Sequence, residues 1–376
     1  MNRPIRLAAL ILLLAPLSAR AAKPAPGPAL QLTLPPEVYA VVGQPMSIYY
    51  DNIVLTETPQ DYRFRFDGPI GQQEDRRWTV QPQAAHVGPH RLTVSVSDNS
   101  GRTLGQASTA LRVIPANAGQ TRSVKLLIIG DSLTAATTYS NQIASLLSLP
   151  GNPQWTMLGT NRPASAAQGV QHEGYGGWTW NAFVTRFKPD APPSGKGRNS
   201  PFVFAGSDGQ PALDLPRYFR DSCQEQVPDY VTIMLGINDC FGLKPDDPAA
   251  IDAGIDKMFQ HADTLLAALR QAAPQAEIGL CLTTPPNARE SGFEANYKGR
   301  YHRWGWKRIQ HQLVQRQLQH FATRQKDKLF IVPTELNLDP WDGYPENNGV
   351  HPNAEGYKQI GDSIYAWLKS RLAEPQ

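Results

Sequence analysis

The chain offers a hydroxyl, a glycine-rich loop, a side-chain amide and an imidazole at four separate turns. The hydroxyl is Ser132, in Gly130-Asp131-Ser132-Leu133. A serine becomes a nucleophile when a base takes its proton. His351, in Gly349-Val350-His351-Pro352-Asn353, is the candidate base, and the same imidazole can then protonate a leaving alcohol. Attack on a carbonyl creates an oxyanion, which needs N–H donors. Asn238, in Gly236-Ile237-Asn238-Asp239, presents a side-chain amide. The stretch His172-Glu173-Gly174-Tyr175-Gly176-Gly177-Trp178-Thr179 is glycine-rich, so its backbone can approach a ligand closely. Asp131 and Asp239 read as braces of their loops, and His172 and Glu173 are placed to line the site. Neither the His and acidic spacing of a metal centre nor a phosphate-binding glycine loop of the P-loop type is present, so no cofactor is expected.

These residues need a scaffold that brings four turns to one place. Val124 to Ile129 is a short apolar run bounded by glycine, which predicts a strand buried on both faces. Thr138 to Leu147 follows with Ile143, Leu146 and Leu147 at helical spacing. Further strands are expected at Trp155 to Gly159, Tyr230 to Leu235, Glu277 to Thr283 and Leu329 to Val332. Helices are expected after Ile251, at Trp306 to Phe321 and at Ala354 to Leu372, with Asn353 as a cap. Such alternation predicts an α/β domain over 123–374, with a parallel sheet covered on both faces. Ligands bind at the carboxyl edge of such sheets, where Ser132, Asn238 and His351 would stand. Two long connections, Pro189 to Leu215 and Pro285 to Trp304, are candidates for site walls. The second mixes aromatic and basic residues, a composition suited to sugar stacking or anion binding.

Before this domain, period-two segments such as Tyr62, Phe64 and Phe66, or Leu92, Val94 and Val96, are separated by turn residues. They predict a small antiparallel, Ig-like β-sandwich over 31–114. It holds no nucleophile with a base, and support, carbohydrate contact or domain packing are its expected roles. Pro115 to Arg122 reads as a linker.

Residues 1–21 have the form of a signal peptide: Arg3 and Arg6, an apolar stretch from Leu7 to Leu17, and Ala19-Arg20-Ala21. Export to the periplasm or the exterior is expected. No other apolar stretch is long enough for a transmembrane helix. The formal charge of +3 includes Arg3, Arg6 and Arg20. The mature chain is therefore near neutral, and its charge implies no nucleic-acid partner. Cys223 and Cys240 flank a strand whose ends lie roughly 20 Å apart, so no bridge between them is expected. Cys281, inside an apolar run, reads as a buried small hydrophobe.

The set GDSL, Gly-Gly-Trp-Thr, GxND and GVHPN, in that order after predicted strands, resembles the SGNH (GDSL) hydrolase superfamily. The resemblance runs from about Val124 to Leu372, and extends to secreted carbohydrate-esterase-like members with an N-terminal β-sandwich. It implies a flavodoxin-like sheet and ester hydrolysis. Ser132 would be the nucleophile and His351 the base. The N–H groups of Ser132 and Gly177, with the Asn238 amide, would form the oxyanion hole. Gly177 is preferred to Gly174 and Gly176 because it precedes Trp178-Thr179. One position departs from the family pattern. Asn348 stands three residues before His351, where the family usually has Asp. Three accounts follow: a Ser–His dyad oriented by Asn348 or a backbone carbonyl, a relocated carboxylate at Glu346 or Asp342, or a vestigial site. The leading expectation is an exported serine esterase acting on acetyl or other short acyl esters of carbohydrate. The alternatives are a lipase or lysophospholipase, and a degenerate hydrolase that binds carbohydrate.

Overall fold

The computed structural model describes residues 30–374 apart from 193, 196 and 298. The expected signal segment, 1–21, lies outside the described residues. Strands β1 (Glu37–Val41), β2 (Met46–Tyr49), β3 (Arg63–Asp67), β4 (Gln72–Gln73), β5 (Arg77–Val80), β6 (Gly88–Ser97) and β7 (Thr103–Ile114) form two sheets, ordered β1-β7-β6-β3 and β2-β5-β4. Val94 and Val96 on one sheet and Ile48 and Trp78 on the other share a single core. The expectation of a purely antiparallel sandwich needs one correction: β1 pairs parallel to β7. Both strands run with their carboxyl ends toward the α/β part, and Tyr39, Val41 and Ile114 join its core. Burying those ends together requires the shared direction.

From Ser123 onward the chain alternates. Strands β8 (Ser123–Gly130), β9 (Gln154–Leu158), β10 (Glu173–Gly174), β11 (Val203–Ala205), β12 (Pro211–Leu213), β13 (Tyr230–Met234), β14 (Glu277–Cys281) and β15 (Leu329–Val332) follow in order. Strand β8 pairs parallel with β9 along its first half and with β10 at its carboxyl end, so the two act as one neighbour. On its other side, β13, β14 and β15 follow, all parallel. Taking β9 and β10 as one strand, the order is 2-1-3-4-5, the flavodoxin-like arrangement. Its topological switch point lies between β8 and β13.

Successive side chains of β8 serve opposite faces. Val124, Leu126 and Ile128 enter one core and Leu127 and Ile129 the other. That is why the run is apolar throughout: helices cover both faces. Thr138–Leu147 and Ala354–Leu372 pack on the first face, and Pro248–Ala272 and Arg303–Phe321 on the second. The long connections carry structure of their own. Pro189 to Leu215 contains the β11–β12 hairpin, and Pro285 to Trp304 contains a helix, Glu290–Tyr297. Two aromatics of the second connection, Phe293 and Tyr301, are buried, and Tyr301 packs edge-on to Trp306 at 5.1 Å. These two rings stabilise the domain and offer no open face for sugar stacking. Cys223, Cys240 and Cys281 are buried free thiols. No helix among the described residues is long and apolar enough to cross a membrane.

Candidate active site

Ser132 stands at the carboxyl end of β8, as the first residue of a one-turn helix, Ser132–Ala135. The corner is built from its neighbours. A Cβ on Gly130 would lie 1.9 Å from Thr134 Oγ1 and 2.9 Å from Met234 O, so only glycine fits beneath the turn. Asp131 caps the helix, its Oδ1 accepting from Leu133 N–H at 2.9 Å. As the first helical residue, Ser132 has an N–H with no intrahelical acceptor, free for another oxygen.

His351 approaches from the loop before the last helix, and its Nε2 lies 2.9 Å from Ser132 Oγ. Asn353 caps that helix by accepting from Gly356 N–H at 3.0 Å. On the other side of the ring, Asn348 Oδ1 lies 3.2 Å from His351 Nδ1. The same Oδ1 accepts from the backbone N–H groups of Val350 at 3.1 Å and His351 at 2.9 Å, an Asx-type turn. Two backbone donors converge on this atom, so it is the amide oxygen. The third group facing it must also donate, which places the neutral ring's hydrogen on Nδ1. Nε2 then carries the lone pair that accepts from the Ser132 hydroxyl. Asn348 thus sets the tautomer a base requires, without supplying a charge. Burial pushes the His351 pKa below its ordinary value.

The carboxylates nearest His351 in sequence do not take this role. Glu346 is exposed, and its backbone carbonyl accepts from Ser291 Oγ at 2.9 Å. Asp342 is paired with Arg76 at 2.5 Å. A relocated acid at either position is therefore corrected: the turn that brings Asn348 behind the imidazole directs the flanking side chains elsewhere.

Asn238 is the second residue of a one-turn helix after β13, Ile237–Cys240. Its Nδ2 donates to Trp178 O at 2.9 Å and, more weakly, to Asp131 Oδ2 at 3.3 Å. One amide therefore joins the residue after Gly177 to the residue before Ser132. Gly177 has φ of +78°, and Trp178 N–H bonds back to Tyr175 O at 3.2 Å. This is the third position of a type II turn, which glycine favours. Gly176 and Gly177 are exposed, while Gly174 is packed tightly on Thr134. Asp131 and Asp239 act as braces. Asp239 Oδ2 accepts from Trp180 N–H at 3.4 Å. Burial pushes both carboxyls up to about 7, Asp131 also feeling the charge of Asp239.

His172 and Glu173 do not line the site, since both are fully buried. His172 Nε2 meets Thr137 Oγ1 at 3.0 Å and Nδ1 accepts from Gly174 N–H at 3.1 Å. Glu173 accepts from Thr160 N–H at 2.6 Å and Tyr218 OH at 2.7 Å. Each holds the glycine loop from behind. Among the described residues no group of three or more His, Cys, Asp and Glu could hold a metal ion.

Sequence reading missed Asn287, which is fully buried. Its Nδ2 donates to Asn348 O at 3.0 Å and Pro345 O at 2.8 Å, and its N–H bonds to Gly349 O at 2.9 Å. No local motif marks it, because its partners are distant in sequence. The β-rich region was also not expected to hold the segment leading to His351. Asn52 Nδ2 donates to Glu335 O at 2.8 Å and Leu338 O at 2.9 Å, and Asn337 Nδ2 donates to Ser47 O at 2.8 Å.

Three solved structures are similar to this chain. A carbohydrate esterase family 3 protein from Talaromyces cellulolyticus is similar at 18% identity, over 67% of this chain and 100% of that one, with a TM-score of 0.38. An acetyl xylan esterase is similar at 15% identity, over 65% of this chain and 100% of that one, TM-score 0.36. An inhibitor-bound aryl esterase from M. smegmatis is similar at 15% identity, over 66% and 99%, TM-score 0.37. No curated protein matches the chain. A model of the GDSL-like lipase/acylhydrolase family matches residues 126–364. That span holds the serine turn, the glycine loop, the amide and the imidazole, and it exceeds half of the chain. The chain therefore belongs to the GDSL-like lipase/acylhydrolase family of carboxylic ester hydrolases.

Proposed function

We propose that this chain is an exported serine esterase that removes acetyl or other short acyl groups from carbohydrate. The observation that carries the esterase chemistry is the 2.9 Å approach of His351 Nε2 to Ser132 Oγ, with Asn348 Oδ1 behind the ring. The signal-like N-terminus supports export. In the first half-reaction His351 takes the Ser132 proton as Oγ attacks the ester carbonyl. The N–H groups of Ser132 and Gly177 receive the oxyanion. Asn238 joins them by giving up its weaker 3.3 Å bond to Asp131. The imidazolium then protonates the departing alcohol, leaving acyl-Ser132. In the second half-reaction a water repeats the sequence and the acid departs.

Two consequences follow from this assignment. Asn238→Ala is expected to lower kcat by about 10²–10³, the typical effect of removing one oxyanion donor. The effect should appear in kcat more than in KM for 4-nitrophenyl acetate, and a change in KM alone would count against it. Asn348→Asp preserves both backbone bonds and adds a charge next to the imidazole. That charge favours the protonated ring, so the His351 pKa should rise. The acid limb of the kcat/KM profile, which in the wild type lies below the ordinary His value of about 6.5, should move up by about one pH unit. On the alkaline plateau kcat should increase, by about ten-fold for one unit's worth of imidazolium stabilisation. Loss of activity in a folded Asn348→Asp protein would contradict the role given to Asn348.

The substrate class is tested by acetate release from acetylated polysaccharides, comparing wild type with Ser132→Ala, together with nitrophenyl esters of increasing chain length. Release by the wild type alone, with preference for short chains, is expected. Equal release by both proteins, or preference for long acyl chains, would contradict the reading.

A further inference from the structure

We infer that the cleft between the β-rich region and the α/β domain binds the glycan chain that carries the ester, with Trp341 as its stacking platform. This deepens the proposed function and rests on it. The cleft encloses about 900 Å³, toward the upper end of small-ligand sites and roomy enough for more than one sugar ring. It is lined from one side by Tyr62 and Arg63 and from the other by Ala288, Arg303 and Trp341. Neither part of the molecule forms it alone.

The cleft is tied to the catalytic imidazole. Ala288 follows Asn287, which holds Asn348 O at 3.0 Å, and Asn348 orients His351. Trp341 lies on the segment between β15 and His351. Both walls on the α/β side are therefore loops from the carboxyl edge of the sheet, the edge on which Ser132 stands.

Trp341 is the most open of the described tryptophans. Its relative exposure is 38%, Trp155 and Trp304 are half-buried, and Trp78, Trp178, Trp180, Trp306 and Trp367 are each at most 3% exposed. It is nonetheless fixed. Its Nε1 donates to Asp51 Oδ2 at 3.1 Å, and the Arg289 guanidinium sits 5.5 Å from the ring centroid. A ring held at its edge by Asp51, with Arg289 over one face, is pre-organised to stack on its other face. The weakly positive C–H face of a pyranose matches the negative face of an indole. Around it the cleft mixes Glu57 and Asp75 with Arg63 and Arg303. Neither sign dominates, and both kinds of group hydrogen-bond hydroxyls, so the occupant is a neutral oligosaccharide.

The test measures binding separately from turnover, on the full chain. Unacetylated β-1,4-linked tetrasaccharides of xylose, glucose and mannose are titrated calorimetrically into wild type, Trp341→Ala, Trp341→Phe and Tyr62→Ala, each checked for its folded spectrum. At least one tetrasaccharide should bind the wild type, and Trp341→Ala should weaken it by about ten-fold or more, the behaviour of a central aromatic anchor. Trp341→Phe keeps a ring and should recover most of the loss, and Tyr62→Ala reports on the opposite wall. Absence of binding by all three sugars, or equal affinity in Trp341→Ala, would overturn the cleft assignment. Hydrolysis of 4-nitrophenyl acetate is measured on the same wild-type sample. Turnover without sugar binding removes the cleft and leaves the esterase. Sugar binding without turnover removes the esterase and leaves the cleft.

Discussion

Replacing Ser132 by Ala is expected to lower kcat for 4-nitrophenyl acetate by about 10⁴–10⁶, leaving the residual rate that oxyanion donors and binding supply alone. The substitution deletes one oxygen from a half-buried side chain. It leaves the features that shape the turn: the tight seat of Gly130 on Thr134 and the Asp131 cap on Leu133. Alanine is also the best helix former, at a helical position. The fold should therefore persist, and a thermal melt close to that of wild type is part of the prediction. Steady-state kinetics on the purified variant reads the effect. A Ser132→Ala protein with activity comparable to wild type would exclude the covalent route.

His351→Ala is expected to be nearly as severe, by about 10⁴ or more in kcat, because the hydroxyl then has no acceptor for its proton. The informative experiment is the double variant. Residues that act as one unit give strongly non-additive losses. Ser132→Ala/His351→Ala should therefore be no slower than Ser132→Ala alone, despite the size of each single effect. Multiplying losses in the double variant would mean that the two side chains serve separate steps, against the 2.9 Å contact between them.

The parts that were legible in the sequence are those where local pattern and environment agree. Strand β15 and the helix Ala354–Leu372 occupy the expected residues, because an apolar run between two covered faces and a capped amphipathic stripe each have one natural solution. The places of Ser132, Asn238 and His351 were legible for the same reason: each follows a strand or precedes a helix whose position could be read, whereas Gly177 rested on the resemblance alone, because the short elements Glu173–Gly174 and Trp180–Thr185 carry no pattern of their own. What was not legible depended on partners far along the chain. The direction of β1 is set by the domain its carboxyl end packs on. The inward turn of Tyr301 and Trp306 reflects Phe241, which stacks on Trp306 at 4.6 Å. Glu346 and Asp342 are near His351 in sequence, but the turn made by Asn348 separates them from the ring. Asn287, which fixes that turn, lies 61 residues from Asn348 and carries no motif. The β-rich region likewise gives no hint, in its own sequence, that it grips the segment leading to the catalytic loop.

The central claim is that Ser132 is a nucleophile activated by His351. It is tested most directly by reaction with a fluorophosphonate, read by intact mass and by mapping the modified peptide. The account predicts a single adduct on Ser132 in the wild type, no adduct in Ser132→Ala, and labelling slowed by orders of magnitude in His351→Ala. An unlabelled wild type, an adduct on another residue, or equal labelling rates with and without His351 would contradict it.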